Sequence, residues 1–155
     1  MSGIYTVQFN GVAATVQQDF FEIVAHASKQ CVLLSWGLSQ STEVGDTAEE
    51  GLSLLVKSGS TVSGSGGSAP TPTNNDGSGA ASGFTAEVNN TTKANTGTIV
   101  THYAYNWNVR MPFDQVYTEQ MQIVFGAGRR LTIELATTPA DSITLSGYAV
   151  IQEIG

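Results

Sequence analysis

The sequence predicts an all-β protein: an antiparallel β-sandwich, jelly-roll-like, with eight to ten strands. Apolar and polar residues alternate with period two over nearly the whole chain, as they do in half-buried strands. Turn signals separate these runs about every ten residues, and no run shows a convincing helical period with caps. Charged residues make up 12% of the chain, and Ser, Thr, Asn, Gln and Gly take most polar positions, which favours strands and turns over helices.

The strands are predicted in chain order from these runs. The first half contains the runs MSGIYTVQF, DFFEIVAHA, CVLLSWGLSQ and EGLSLLVKSG. The third run places Val32, Leu34, Trp36 and Leu38 on one face. The second half contains TIVTHYAYNWNVRM, EQMQIVFG, RRLTIELAT and DSITLSGYAVIQEIG. Two Gly residues in GAGRR, and the proline in TTPADS, mark the turns between the last runs.

A Ser/Gly/Pro-rich segment at 59–82 interrupts the pattern and could be either a linker or a long loop. As a linker it would leave a 58-residue all-β domain with no disulfide, and such a domain buries too little apolar surface to be stable alone. We therefore expect one β-sandwich domain over 1–155, with this segment as a long loop across it. A flexible 24-residue segment reaches roughly 27 Å, which is enough to cross a domain.

Charge and cysteine content exclude several classes of partner and site. The formal net charge is −7, and the six basic residues are scattered, so neither nucleic acid nor an anionic membrane is an expected partner. Cys31 is the single cysteine, which excludes an internal disulfide. The first residues lack a basic start and a long apolar stretch, so we expect synthesis in a host cytoplasm without a signal peptide.

The sequence predicts no enzymatic activity and no cofactor. His26 and His102 lie on the polar faces of their strands, far apart in the chain, and no nucleophile elbow, zinc-protease or phosphate-loop motif is present. Calcium is the best ion candidate, at an acidic stretch that contains Glu43, Asp46, Glu49 and Glu50. Their spacing matches no EF-hand loop, and a solvated acidic loop is the stronger interpretation.

An aromatic stripe on one predicted strand has two interpretations. Tyr103, Tyr105 and Trp107 share one face and could line a sugar-binding groove. The same pattern is typical of a core strand or of an aromatic subunit interface, which we favour.

The low charge of the strands predicts self-association. Sandwich proteins protect their sheet edges with charged residues, and Lys57 and Lys93 are nearly the only candidates here. We therefore expect a homo-oligomer, and a closed ring such as a homotrimer suits a jelly roll.

Three stretches give the chain a family resemblance from about Ile4 to Gly155. These are VGDTAEEGLSLLVKSGSTVSGSGGSAPTP, GFTAEVNNTT and RRLTIELATTPADSITLSGYAVIQEIG. They resemble small structural proteins of phages and prophages, and the architecture is similar to that of trimeric β-sandwich decoration, or cement, proteins. The motifs are compositional and positional, and they contain no catalytic signature.

The resemblance implies a structural virion protein on the capsid surface of a phage head, with the major capsid protein as partner. Residues 1–9 would be an arm that adds to a capsid sheet edge, with Ile4, Tyr5, Val7 and Phe9 as interface candidates beside the aromatic stripe. Many weak contacts would stabilise the head through avidity. The alternatives are a head-fibre, spike or tail component and a carbohydrate-binding β-sandwich module.

Overall fold

Two antiparallel sheets packed face to face form the protein in a computed structural model, which describes residues 3–43, 45 and 49–155. The predicted all-β antiparallel sandwich is confirmed. The described residues form eleven strands: β1 (Gly3–Ala14), β2 (Gln18–Val24), β3 (Gln30–Gln40), β4 (Gly51–Ser60), β5 (Thr73–Asn74), β6 (Thr85–Asn90), β7 (Gly97–Asn108), β8 (Phe113–Val116), β9 (Ile123–Phe125), β10 (Arg130–Leu135) and β11 (Ile143–Ile154). They include no helix that could span a membrane.

The strand order is that of a jelly roll. Sheet 1 has the order β5-β1-β11-β3-β8, with β9 also paired to β3, and sheet 2 has the order β6-β2-β10-β4-β7. Without β5, β6 and β9, the remaining eight strands pair in a nested series, β1 with β11, β2 with β10, β3 with β8 and β4 with β7. A long antiparallel hairpin rolled into two sheets produces this nesting.

The core lies between the sheets and is filled by the side chains that the strands of both sheets point inward. Trp36 and Phe20 are among its largest fully buried side chains. The predicted face of β3 is only partly correct, because a bulge at Leu34 shifts the pairing of β3 with β11. A bulge inserts one residue and reverses the alternation beyond it. As a result, Leu33 and Trp36 both face the core, and Leu34 is only half-buried.

The Ser/Gly/Pro segment forms a strap, defined here as residues 61–84, that lies along one side of the sandwich. It first runs beside the outer edge of β6, where Ser68 and Val88 exchange two backbone hydrogen bonds of 3.1 and 2.8 Å. It then crosses to sheet 1 and forms β5 against β1. Each sheet therefore combines strands that precede the strap with strands that follow it.

Glycine permits the close contact between the strap and sheet 2. A Cβ atom on Gly67 would lie 2.0 Å from the carbonyl oxygen of Val88, and one on Gly64 would lie 2.3 Å from that of Thr92. No side chain fits at such distances, so the composition that is typical of a flexible linker here serves tight backbone packing.

Candidate functional site

The candidate arm at 1–9 is a fully paired strand in the part that the structure describes. From Gly3 onward, β1 pairs with β11 along its length and with β5 at Tyr5 and Thr6. Tyr5, Val7 and Phe9 are core side chains in this chain and therefore do not form a free surface. Ile4 points outward and is 41% exposed, so it alone of the four candidates is available to a partner.

The aromatic stripe of β7 packs inside its own chain. Trp107 is 2% exposed, and its indole N–H donates to the carbonyl oxygen of Met111 at 2.6 Å. The ring of Tyr103 stacks on Tyr117 with 5.2 Å between centroids. The hydroxyl of Tyr105 lies 3.0 Å from that of Tyr117, and burial raises the pKa of both phenols. The stripe is thus part of the core and its rim, with no exposed platform for a sugar ring.

The histidines and the cysteine have local partners only. The Nδ1 atom of His26 lies 2.9 Å from the hydroxyl of Ser28, and the Nε2 atom of His102 lies 2.8 Å from the hydroxyl of Ser58. Cys31 is fully buried, and burial, with the nearby carboxylate of Glu153, raises the pKa of its thiol to about 12. A thiol with this pKa stays protonated at neutral pH and is a poor nucleophile.

The acidic stretch brings together a different set of carboxylates from the predicted one. Oxygen atoms of Glu43, Glu50 and Asp141 lie within 4.8 Å of one another. Asp46 lies outside the described residues, and Glu49 instead approaches Arg110 at 3.9 Å. Calcium binding stays a prediction. The sequence could not identify Asp141, because it lies about 90 residues further along the chain, in the turn after Pro139.

A buried charge network covers the outer face of sheet 2. Arg130 pairs with Glu22 at 2.6 Å, and the backbone N–H of Gly64 in the strap donates to the same carboxylate at 3.0 Å. Both Lys57 and Lys93 pair with Glu134, the latter at 2.7 Å. The strap and the segment 91–96 therefore close this face with their own polar groups. The sequence predicts Lys57 and Lys93 at protected sheet edges, whereas in the structure both form ion pairs with Glu134 in this network.

Asp19 is the unfavourable member of this network. It is 1% exposed, and only one of its carboxylate oxygens has a partner, the backbone N–H of Ala94 at 2.7 Å. Burial raises the pKa of Asp19 to about 6 against the lowering effects of that hydrogen bond and of Lys57. The charged form of Asp19 is thus disfavoured in the folded protein.

We predict that Asp19→Asn stabilises the protein at neutral pH. A folded-state pKa above the unfolded value contributes stability below pH 4 that is lost as the pH rises through about 6. At about 1.4 kcal/mol per pKa unit, the variant should gain roughly 2–3 kcal/mol over the natural protein between pH 4 and pH 7.5. Urea unfolding of both proteins at four pH values measures this difference. A difference that does not change with pH would contradict the prediction.

The outer face of sheet 1, in contrast, is uncovered. Adjacent strands place their outward side chains in rows across it, and we call these residues the open face: Ile4, Thr6, Gln8, Val32, Ser35, Gly37, Asp114, Val116, Val124, Tyr148, Val150 and Gln152. Val32 and Gly37 are buried among their neighbours, and the others are exposed or half-buried. Val116 and Val124 are 72% and 58% exposed. Asp114 is the single charged residue of the set, and it accepts a hydrogen bond of 2.6 Å from the hydroxyl of Tyr148.

A depression of about 340 Å³ lies at one end of the open face, above Gly37. A Cβ atom at position 37 would lie 2.4 Å from the carboxylate of Asp114 and 2.6 Å from the ring of Tyr148. Glycine at this position therefore allows the Tyr148–Asp114 hydrogen bond to form directly over the sheet. The lining of the depression includes one charged side chain, that of Asp114.

Sequence reasoning missed the open face because its residues belong to five strands. The available signal was the presence of apolar residues in the outward phase, such as Val150 in the last strand and Val116 in a short one. Scattered exposed apolar residues are normal, and only the pairing register shows that these share a surface.

The nested strand order of the described residues defines a jelly-roll protein. No protein-family model matches the chain, and no curated protein shows significant similarity to it. A solved chain from "Structure of infectious bursal disease virus Gx strain" is 13% identical, with a TM-score of 0.19. The match covers 99% of this chain and 41% of that one, so this chain spans less than half of the viral chain. The two structures agree too poorly for any property to be transferred.

Proposed function

We propose that the protein is a structural virion protein that decorates the outer surface of a phage head and stabilises it as an oligomer. The observation that carries the proposal is the open face of sheet 1, which is almost uncharged and exposes Ile4, Val116 and Val124. The family resemblance of the sequence supports the same function. The predicted homotrimer and the major capsid protein as partner remain part of the proposal.

The contrast between the two sheets supports a docking role for the open face. The chain uses a strap and several buried ion pairs to cover the part of sheet 2 around β2 and β10, yet it leaves the exposed valines of sheet 1 without such cover. Interfaces are depleted of charge at their centres and rely on shape and apolar contact. With one internally bonded carboxylate, the open face fits a capsid surface of similar low charge.

Quantitative mass spectrometry of density-purified particles from the source culture tests the proposal. A decoration protein should be present at an abundance close to that of the major capsid protein. A few copies per particle would instead indicate a fibre, spike or tail component. Complete absence from particles would overturn the virion assignment.

A pair of matched variants tests the surface. Val116→Lys places a charge on the open face, at a residue that is 72% exposed, and should lower incorporation into particles at least tenfold. Val62→Lys adds the same charge on the strap, at a residue that is 54% exposed, and should leave incorporation unchanged. Equal incorporation of the two variants would show that the open face does not bind the capsid.

The carbohydrate-binding alternative requires an exposed aromatic platform at Tyr103, Tyr105 and Trp107. Trp107 is buried, and Tyr103 and Tyr105 are half-buried against their own chain, which favours the virion proposal over this alternative.

A further inference from the structure

Sheet 2 ends in a long edge strand that the described chain leaves unpaired on one side. Strand β7 has 12 residues and pairs only with β4. The other sheet edges are short, covered or interrupted: β5 pairs with Tyr5 and Thr6 of β1, and the rest of that edge contains the bulge between Phe9 and Val12. In sheet 1, β5 has two residues, and β8 and β9 have four and three. In sheet 2, the edge of β6 is bridged by the strap at Ser68.

The pairing register shows which backbone groups point away from β4. The N–H of Val109 donates to the carbonyl oxygen of Glu50 at 3.1 Å, in the same register that joins β7 to β4. Antiparallel strands alternate the direction of their hydrogen bonds, so Tyr105 and Trp107 bond to β4. The N–H and C=O groups of Ala104 and Asn106 therefore point outward, and both residues are exposed.

The chemistry of β7 fits a second copy of the same strand. Gly97–Asn108 contains no Asp, Glu, Lys or Arg, so two copies placed side by side bring no like charges together. An antiparallel edge is also its own complement, since a two-fold axis matches each outward donor with an outward acceptor. Strand β7 has no charged side chain for the specific recognition of a strand from a different protein.

We call the junction between two paired β7 strands the seam. The side chains on both faces of β7 give this seam apolar content. Val100 is 49% exposed on the outer side of β7, and Tyr103 and Tyr105 are half-buried on the inner side. Pairing of two β7 strands would place Val100 on the outer side, and the two tyrosines on the inner side, next to the same side chains of the second copy. Natural proteins normally protect a long uncharged edge, and a second copy provides this protection.

We propose that two copies of the chain join through antiparallel pairing of their β7 strands, which makes one continuous ten-stranded sheet from two copies of sheet 2. The inference extends the proposed function by naming one contact of its oligomer. It predicts assemblies with an even number of chains. A trimer built on other surfaces and joined through β7 would contain six chains.

Sedimentation equilibrium of the natural protein and three variants tests the pairing. The natural protein should have twice the 16.2 kDa chain mass, or another even multiple. Ala104→Pro removes an outward N–H and keeps every bond to β4, and it should halve the assembly. Asn106→Lys retains the backbone and adds a charge at the seam, with the same expected result. Val16→Lys, in the turn between β1 and β2 at a residue that is 41% exposed, is the control and should keep the natural mass.

Amide hydrogen exchange of the natural protein provides a second readout that does not depend on variants. The amides of Ala104 and Asn106 have no strand partner within the chain, so their protection should rise at least tenfold with protein concentration. A single-chain mass at all concentrations, a three-chain mass with these amides unprotected, or an unchanged mass for Asn106→Lys would each overturn the proposal. Particle binding is measured separately, so a dimer that fails to bind particles would contradict only the proposed function.

Discussion

Replacing Glu134 with alanine is expected to lower the free energy of unfolding by about 3–5 kcal/mol. The side chain of Glu134 is 5% exposed and pairs with Lys57, whose side chain is 8% exposed, and with Lys93. Burial alone would raise the pKa of Glu134, but hydrogen bonds from the two lysines outweigh it and lower that pKa. Removal of the carboxylate leaves the ammonium group of Lys57 buried, with a hydrogen bond to Asn95 and with Asp19, whose charged form is itself disfavoured, nearby. The cost is the free energy of a buried charge that has lost its paired carboxylate.

Urea unfolding at pH 7 measures this effect, and Glu49→Ala provides the control. Glu49 approaches Arg110 at 3.9 Å, and its side chain is 69% exposed. Exposed pairs contribute about 0–1 kcal/mol, so the control should be nearly neutral. A similar small loss for Glu134→Ala would mean that solvent reaches Lys57 and that the network under the strap is not closed.

Replacing Trp107 with alanine is expected to cost about 3–5 kcal/mol of stability. The indole is buried at the end of β7, where it contributes apolar contacts and a hydrogen bond to the carbonyl oxygen of Met111. Alanine leaves a cavity and removes that donor. The loss is one of stability, since the ring has too little exposed surface to bind a ligand.

Thermal unfolding and glycan binding together separate the two interpretations of this residue. Trp107→Phe, which retains most of the ring volume, should recover a large part of the lost stability. If Trp107→Ala kept its stability but lost binding to a glycan array, the core assignment of this side chain would be wrong.

Period-two alternation was sufficient to predict the fold class but not all strands. The eleven described strands exceed the expected eight to ten, because β5 and β8 have only two and four residues and lie outside the predicted runs. The predicted inward face of β3 is partly wrong for a related reason, because the bulge at Leu34 is visible only in the pairing with β11.

The surfaces were harder to predict than the core, because their character depends on which distant segments cover them. Glu22 and Glu134 occupy outward phases and would be assigned to solvent from the pattern alone, yet the strap and segment 91–96 bury them. Tyr5, Val7 and Phe9 were assigned to a partner interface, yet β11 and β5 incorporate their strand into the sandwich. A local pattern contains no information about such coverage.

The nested strand order has a consequence for how the chain folds during synthesis. Strand β11 lies between β1 and β3 at the middle of sheet 1, although it follows the other ten described strands in the chain. Until it arrives, β1 and β3 each have one unpaired edge, and the inner face of sheet 2 lacks its cover. Folding must therefore wait for residues that are more than 100 positions from their partners. Until they arrive, the nascent chain exposes unpaired strands of low charge, which are prone to contacts with other chains.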